Sequence, residues 1–229
     1  MKSQLLTAAA AGALMLAAST TAQADNRFAG FSVSLDLGWT QVMGEINDVN
    51  PNYANVAGYQ DADEGSGVLL GGRLGYDFAL ADQWLVGAEL NVNMVSADTA
   101  TCEAAGCADS NSVTGPALSF DMESLASARA RLGYVIDPKA LLYGFVGYAY
   151  SEVTTHHHDS SEGDGRSRNF HGYTLGGGAQ YAVGATTDIR GEIAYYNFSD
   201  KIYTDQFNET FGTDPEALTV SLGVVFHLN

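Results

Sequence analysis

The chain has 229 residues, with ten Lys and Arg against 27 Asp and Glu, a formal net charge of −17, 26 Gly, four Pro and two Cys. So acidic a protein excludes nucleic acid as a partner, because phosphate binding needs a basic face. The length suits one domain with a full core.

Lys2, the apolar run from Leu5 to Ala18, and small Ala22 and Ala24 ahead of Asp25 read as a secretory signal peptide over residues 1–24. Such a run is too short to span a bilayer, and cleavage is expected after Ala24. Residues 25–229 then form one exported domain. No helical period follows, and eight segments alternate with period two, as strands with unlike faces do.

In the first, 31–42, Phe31, Val33, Leu35, Leu37 and Trp39 oppose Ser32, Ser34, Asp36 and Gly38. The second, 68–78, sets Leu70, Leu74, Tyr76 and Phe78 against Gly71, Arg73, Gly75 and Asp77. Alternation is cleanest in the third, 84–95, where Trp84, Val86, Ala88, Leu90, Val92 and Met94 oppose Gly87, Glu89, Asn91 and Asn93. The fourth, 125–136, places Ala126, Ala128, Ala130, Leu132 and Tyr134 opposite Ser127, Arg129, Arg131 and Gly133. The fifth, 141–152, is apolar on both faces, and its inner face stays open. The sixth is 172–183. The seventh, 187–198, opposes Ile189, Ile193 and Tyr195 to Arg190 and Glu192. The eighth, 218–229, alternates Leu218, Val220, Leu222, Val224, Phe226 and Leu228 with Thr219, Ser221, Gly223 and His227.

Short turns at 79–83, 137–140 and 184–187 alternate with long acidic stretches at 44–67, 96–116, 151–169 and 199–217. Hairpin loops normally take two to five residues, so the pattern predicts an all-β, eight-stranded antiparallel up-and-down barrel, with short turns at one end and long loops at the other. The tetrapeptide Arg-Leu-Gly-Tyr recurs at 73–76 and 131–134, which puts Tyr76 and Tyr134 at one rim with Tyr181.

Alternation alone does not separate a membrane barrel from a soluble one. The polar face decides: Lys2, Lys139 and Lys201 are the only lysines and none lies in these segments, while Gly, Ser, Thr and Asn dominate that face. Small polar residues fit the inside of an eight-stranded barrel, and strands of about 9–11 residues cross hydrocarbon when tilted. Trp39, Tyr76, Phe78, Trp84, Tyr134, Tyr195 and Phe198 lie near strand ends, as interfacial girdles require. The apolar face is therefore expected to meet lipid.

With that facing, the chain resembles the eight-stranded outer-membrane β-barrel proteins of Gram-negative bacteria, the group of opacity-type surface proteins and relatives of the OmpA membrane domain. The resemblance implies an outer-membrane barrel over residues 25–229 and a C-terminal assembly signal at Ser221, Gly223, Phe226 and Leu228. The chain departs from the usual aromatic end by running on through His227 and Leu228 to Asn229. The implied partners are the barrel-assembly machinery, outer-membrane lipids and lipopolysaccharide, and host or neighbouring-cell surface molecules.

Asp36, Arg73, Asp77, Glu89, Arg129, Arg131, Arg190 and Glu192 would face the interior, where they could line a pore or close it. Two signs in so narrow a barrel favour a paired plug, since buried charges persist only when partnered. Cys102 and Cys107 suit either a metal site or a disulfide, and an exported loop favours the disulfide. His156, His157, His158 and Asp159 are adjacent on a loop, so they do not easily share one ion, and no metal ligand or cofactor is assigned. Ser160, His158 and Glu162 lack a strand to fix them as a catalytic set. The expectation is a non-enzymatic surface protein that contributes to envelope integrity and acts through acidic extracellular loops. The alternatives are a narrow porin-like channel and, further off, a lipid A-modifying enzyme.

Overall fold

The computed structural model describes residues 26–48, 65–101, 117–158, 164–199, 201–204 and 210–228. These residues form strands β1 (Gly30–Asp48), β2 (Gly65–Ala79), β3 (Trp84–Thr101), β4 (Ala117–Asp137) and β5 (Ala140–His158). The rest are β6 (Asp164–Ala182), β7 (Thr187–Phe198), β8 (Lys201–Thr204) and β9 (Thr210–His227). Each strand from β1 to β6 pairs antiparallel with the next, and β9 pairs with β7 on one side and β1 on the other. The four-residue β8 extends the line of β7 along β9, so the closed wall has eight staves. Across the closing seam Ser32 faces His227 and Asp48 faces Phe211.

The solvation of the wall is inverted relative to a water-soluble protein. Leu35 is 66% exposed and Met94 72%, while Asp36 and Arg190 are each 2% exposed. A continuous apolar belt of this kind would drive aggregation in water, whereas hydrocarbon is a matching solvent and a closed ladder satisfies every backbone group within it. The molecule is a transmembrane barrel.

The structure settles one face left open by the sequence and changes one assignment. In β5, Leu141, Tyr143, Phe145 and Ala149 are buried inside, and Leu142, Val146 and Tyr148 are exposed outside. Phe198, expected in an outer girdle, is inside and 1% exposed, because it shares parity with Tyr196 and Arg190. Both segments carry large apolar or aromatic residues on both faces, which erases the period-two signal.

The long polar stretches are also partly ladder. β4 has 21 residues, about twice what hydrocarbon demands, and β5 runs to His158 before β6 starts at Asp164. Beyond the apolar belt the outer face meets water, so alternation fades while backbone pairing persists. His156, His157 and His158 sit in this extension, in register with Ser119, Leu118 and Ala117, and their side chains lie outside the described residues. So do residues 1–25 with the expected cleavage site at Ala24, and Cys102, Cys107, Asp159, Ser160 and Glu162.

Candidate functional site: the barrel lumen

Alternation delivers every second side chain of each stave into the lumen, and the delivered side chains stack in three layers. The middle layer is ionic. Arg73 on β2 lies 3.1 Å from Asp36 Oδ2 through Nε, bonds Glu192 through Nη1, and donates to Ser221 Oγ at 3.1 Å. Arg129 donates to Glu192 Oε1 at 2.8 Å and Ser127 Oγ at 2.8 Å, and also bonds the Tyr196 hydroxyl. Arg190 donates to Glu89 Oε2 at 2.9 Å and Asp36 Oδ1 at 3.2 Å. Arg131 pairs more loosely with Asp77 at 3.5 Å and Glu89 at 3.8 Å. Four guanidinium groups thus meet the four carboxylates of Asp36, Asp77, Glu89 and Glu192, and the layer is neutral.

Aromatic rings roof this layer. The Arg131 guanidinium lies 4.0 Å from the Tyr143 ring centroid and that of Arg129 4.3 Å from Phe145, and Tyr143 Oη donates to Glu192 Oε2 at 2.8 Å. The rings come close to β6 because it is bare beneath them. Gly178 faces Tyr143 and Gly176 faces Phe145 in the β5–β6 register. A Cβ on Gly178 would stand 2.5 Å from Tyr143 Oη, and one on Gly176 2.6 Å from Phe145 Cζ.

Toward the long-loop end the lumen is an apolar core. Leu69, Met122, Leu125, Phe170, Tyr196, Phe198 and Ala217 are each at most 2% exposed and belong to one cluster.

Toward the short-turn end the chain before β1 folds under the barrel. Phe28 and Ala29 pack with Leu85 and Leu141, and Gly30 at φ 103° turns the chain into β1. Arg27 donates to Gly184 O at 3.0 Å and to Asp188 Oδ1 at 2.5 Å. Asp188 Oδ2 also accepts from Gln180 Nε2 at 2.7 Å and lies 2.7 Å from His227 Nε2. One buried carboxylate therefore joins the N-terminal segment, β6, β7 and β9.

The structure brings Asp36, Arg73, Asp77, Glu89, Arg129, Arg131, Arg190 and Glu192 into a single buried cluster. Ser221 and Gly223 face inward, with the Asp36 carboxylate against Gly223, while Phe226 and Leu228 face outward. Sequence reasoning missed Tyr143, Phe145, Tyr196, Gln180, Asp188 and the Arg27–Phe28 cap. The run of three glycines in β6, opposite the aromatics of β5, was the available signal for the first two.

An apolar belt around a neutral, side-chain-filled lumen, closed by its first and last strands, defines an outer-membrane-type β-barrel. The family model described as "Outer membrane protein beta-barrel domain" matches residues 8–226, and the chain belongs to that family. It is similar to the 31 kDa outer-membrane immunogenic protein of Brucella melitensis, 25% identical over 173 residues that cover 74% of this chain and 69% of that one. Among solved structures it resembles the outer membrane protein OprG of Pseudomonas aeruginosa, with a TM-score of 0.52 and 12% identity over 89% of this chain and 100% of that one. It also resembles the outer membrane protease OmpT of Escherichia coli, with a TM-score of 0.50 and 10% identity over 86% of this chain and 96% of that one. Both likenesses are of fold alone.

Proposed function

We propose that this outer-membrane protein is a non-catalytic surface protein, whose closed barrel is an anchor and whose acidic long-loop end faces outward to make surface contacts and support envelope integrity. The observation that carries this reading is the lumen, filled with side chains in all three layers and neutral in the middle one. Arg–carboxylate pairs that satisfy one another out of water hold a position; an ion entering would have to displace several at once. Because the buried ionic layer cancels internally, the net charge of −17 is carried outside it, where carboxylates attract divalent cations bound to lipopolysaccharide.

Planar-bilayer recording of the refolded protein tests the anchor reading. The expected trace has no stepwise current. Reproducible steps from pure protein would replace the anchor with the narrow porin-like channel. A null mutant should become sensitive to detergent, with recovery on re-expression, if the barrel supports the envelope.

A further inference from the structure

The outer wall is not uniform around its circumference. On β2, β3 and β4 the belt stays aliphatic toward the long-loop side, but on β5, β6, β7 and β9 it ends there in an aromatic and polar cluster. Tyr150 faces His171, Tyr148 faces Tyr173, Tyr173 faces Asn197, and Asn197 faces Glu216. The Tyr148 hydroxyl lies 2.7 Å from His171 Nδ1, and the His171 ring stacks on Tyr148 with centroids 5.9 Å apart. Tyr150 stands 5.4 Å from the same imidazole. Asn197 Nδ2 donates to Glu216 Oε1 at 2.8 Å. Below the cluster the wall returns to exposed Val146, Leu175 and Ile193. Across β4 and β3 the row of Tyr150 continues only through Ala126 and Val92.

We infer that this cluster binds the phosphorylated sugar headgroup of an outer-leaflet glycolipid. The inference rests on the long-loop end facing outward, as proposed above. The cluster sits where the aliphatic belt gives way to polar side chains, so at its height the neighbouring molecules are lipid headgroups. The chemistry then selects among them. The Tyr148 hydroxyl occupies His171 Nδ1, which leaves Nε2 as the ring nitrogen available to a phosphate. Tyrosine faces accept the apolar face of a sugar ring, and the amide and carboxylate of Asn197 and Glu216 match hydroxyls that both donate and accept. A glycerophospholipid would engage the imidazole and leave the rest unused. A phosphorylated sugar engages both halves.

The test compares thermal midpoints, read by loss of the heat-modifiable gel band, in phosphatidylcholine vesicles with and without lipid A. Wild-type protein should gain a positive shift from lipid A, a smaller one from dephosphorylated lipid A, and none from phosphatidylglycerol at matched charge. His171→Ala with Tyr150→Ala should lose more than half of the shift while keeping its midpoint in phosphatidylcholine alone. Tyr148→Phe, which keeps the ring and removes the hydroxyl, should lose part of it, and Val68→Ala on β2, separated from the cluster by β1 on one side and by β3 and β4 on the other, should keep all of it. Equal shifts in wild type and the double variant, or a full shift with phosphatidylglycerol, would overturn the site. Protease access to a cleavage sequence inserted between residues 159 and 163 in intact cells reports the orientation separately, so a failed site and a failed orientation give different results.

Discussion

The two ends of the lumen solve the same filling problem with opposite chemistry. From mid-barrel down to the small apolar cap of Phe28 and Ala29 the interior is ionic and hydrogen-bonded, with Arg73, Arg129, Arg131 and Arg190 each meeting a carboxylate. Toward the long loops it is an apolar core of Leu69, Phe170 and Phe198. An apolar core gains stability from packing whatever its exact arrangement. An ionic layer gains little net energy, but each member is costly to leave unpaired. The contrast teaches that the upper half supplies cohesion and the lower half supplies register, since slipping one stave would separate many charges together.

Variants can break that contrast, beginning with the ionic half. Glu192→Leu removes the carboxylate nearest to both Arg73 and Arg129 and should cost about 3–5 kcal/mol, seen as a lower urea midpoint in detergent. Adding Arg129→Leu should recover part of the loss, because it removes a stranded charge. In the apolar half, Phe198→Ala should cost about 3 kcal/mol, Phe198→Leu much less, and neither should respond to a second truncation among the arginines. If Phe198→Ala and Glu192→Leu were strongly coupled, the two halves would not be separate units.

The wall offers the next largest effect. Leu90→Asp puts a carboxylate into hydrocarbon near mid-strand at a cost below that of Arg or Lys there, about 2–4 kcal/mol. Asn91→Asp, one residue on, faces Arg129 Nη2 and should cost clearly less. Quenching by lipid-borne probes of a cysteine at 90 but not at 91 checks the facing directly. The smallest expected effect is at the rim, where His227→Asn removes one of the three donors to Asp188 and should cost about 1 kcal/mol. His227→Asp, which sets two acids together, should cost more.

How much of this was legible depends on what each face carries. In β1, β3 and β9 aliphatic residues alternate with Ser, Asp, Asn or Gly, and both the strands and their facing could be read. In β5 the residues Leu141 to Tyr150 are apolar on both faces, and in the upper part of β7 Tyr195, Tyr196 and Phe198 obscure the period. The ladder beyond the belt carries no apolar pattern, because water lies outside it. The eight interior charges could be placed in the lumen by parity, yet their partners depend on the stagger between staves. Asp188 and the Arg27–Phe28 cap lie at strand ends with no periodicity to mark them.

The carboxylate of Asp188 joins residues far apart in the chain, 161 positions from Arg27 and 39 from His227. Contacts of such separation form late, because loop-closure entropy must be met before they contribute. None of the strand pairs from β1 through β7 needs this junction, but a wall in which β9 has not yet met β1 cannot hold Arg27 and His227 on the same acid. Asp188 therefore works as a chronometer of folding. Its carboxyl should stay open to carbodiimide labelling through the earlier pairings and become protected only when the ring shuts, so one residue dates the final step of folding.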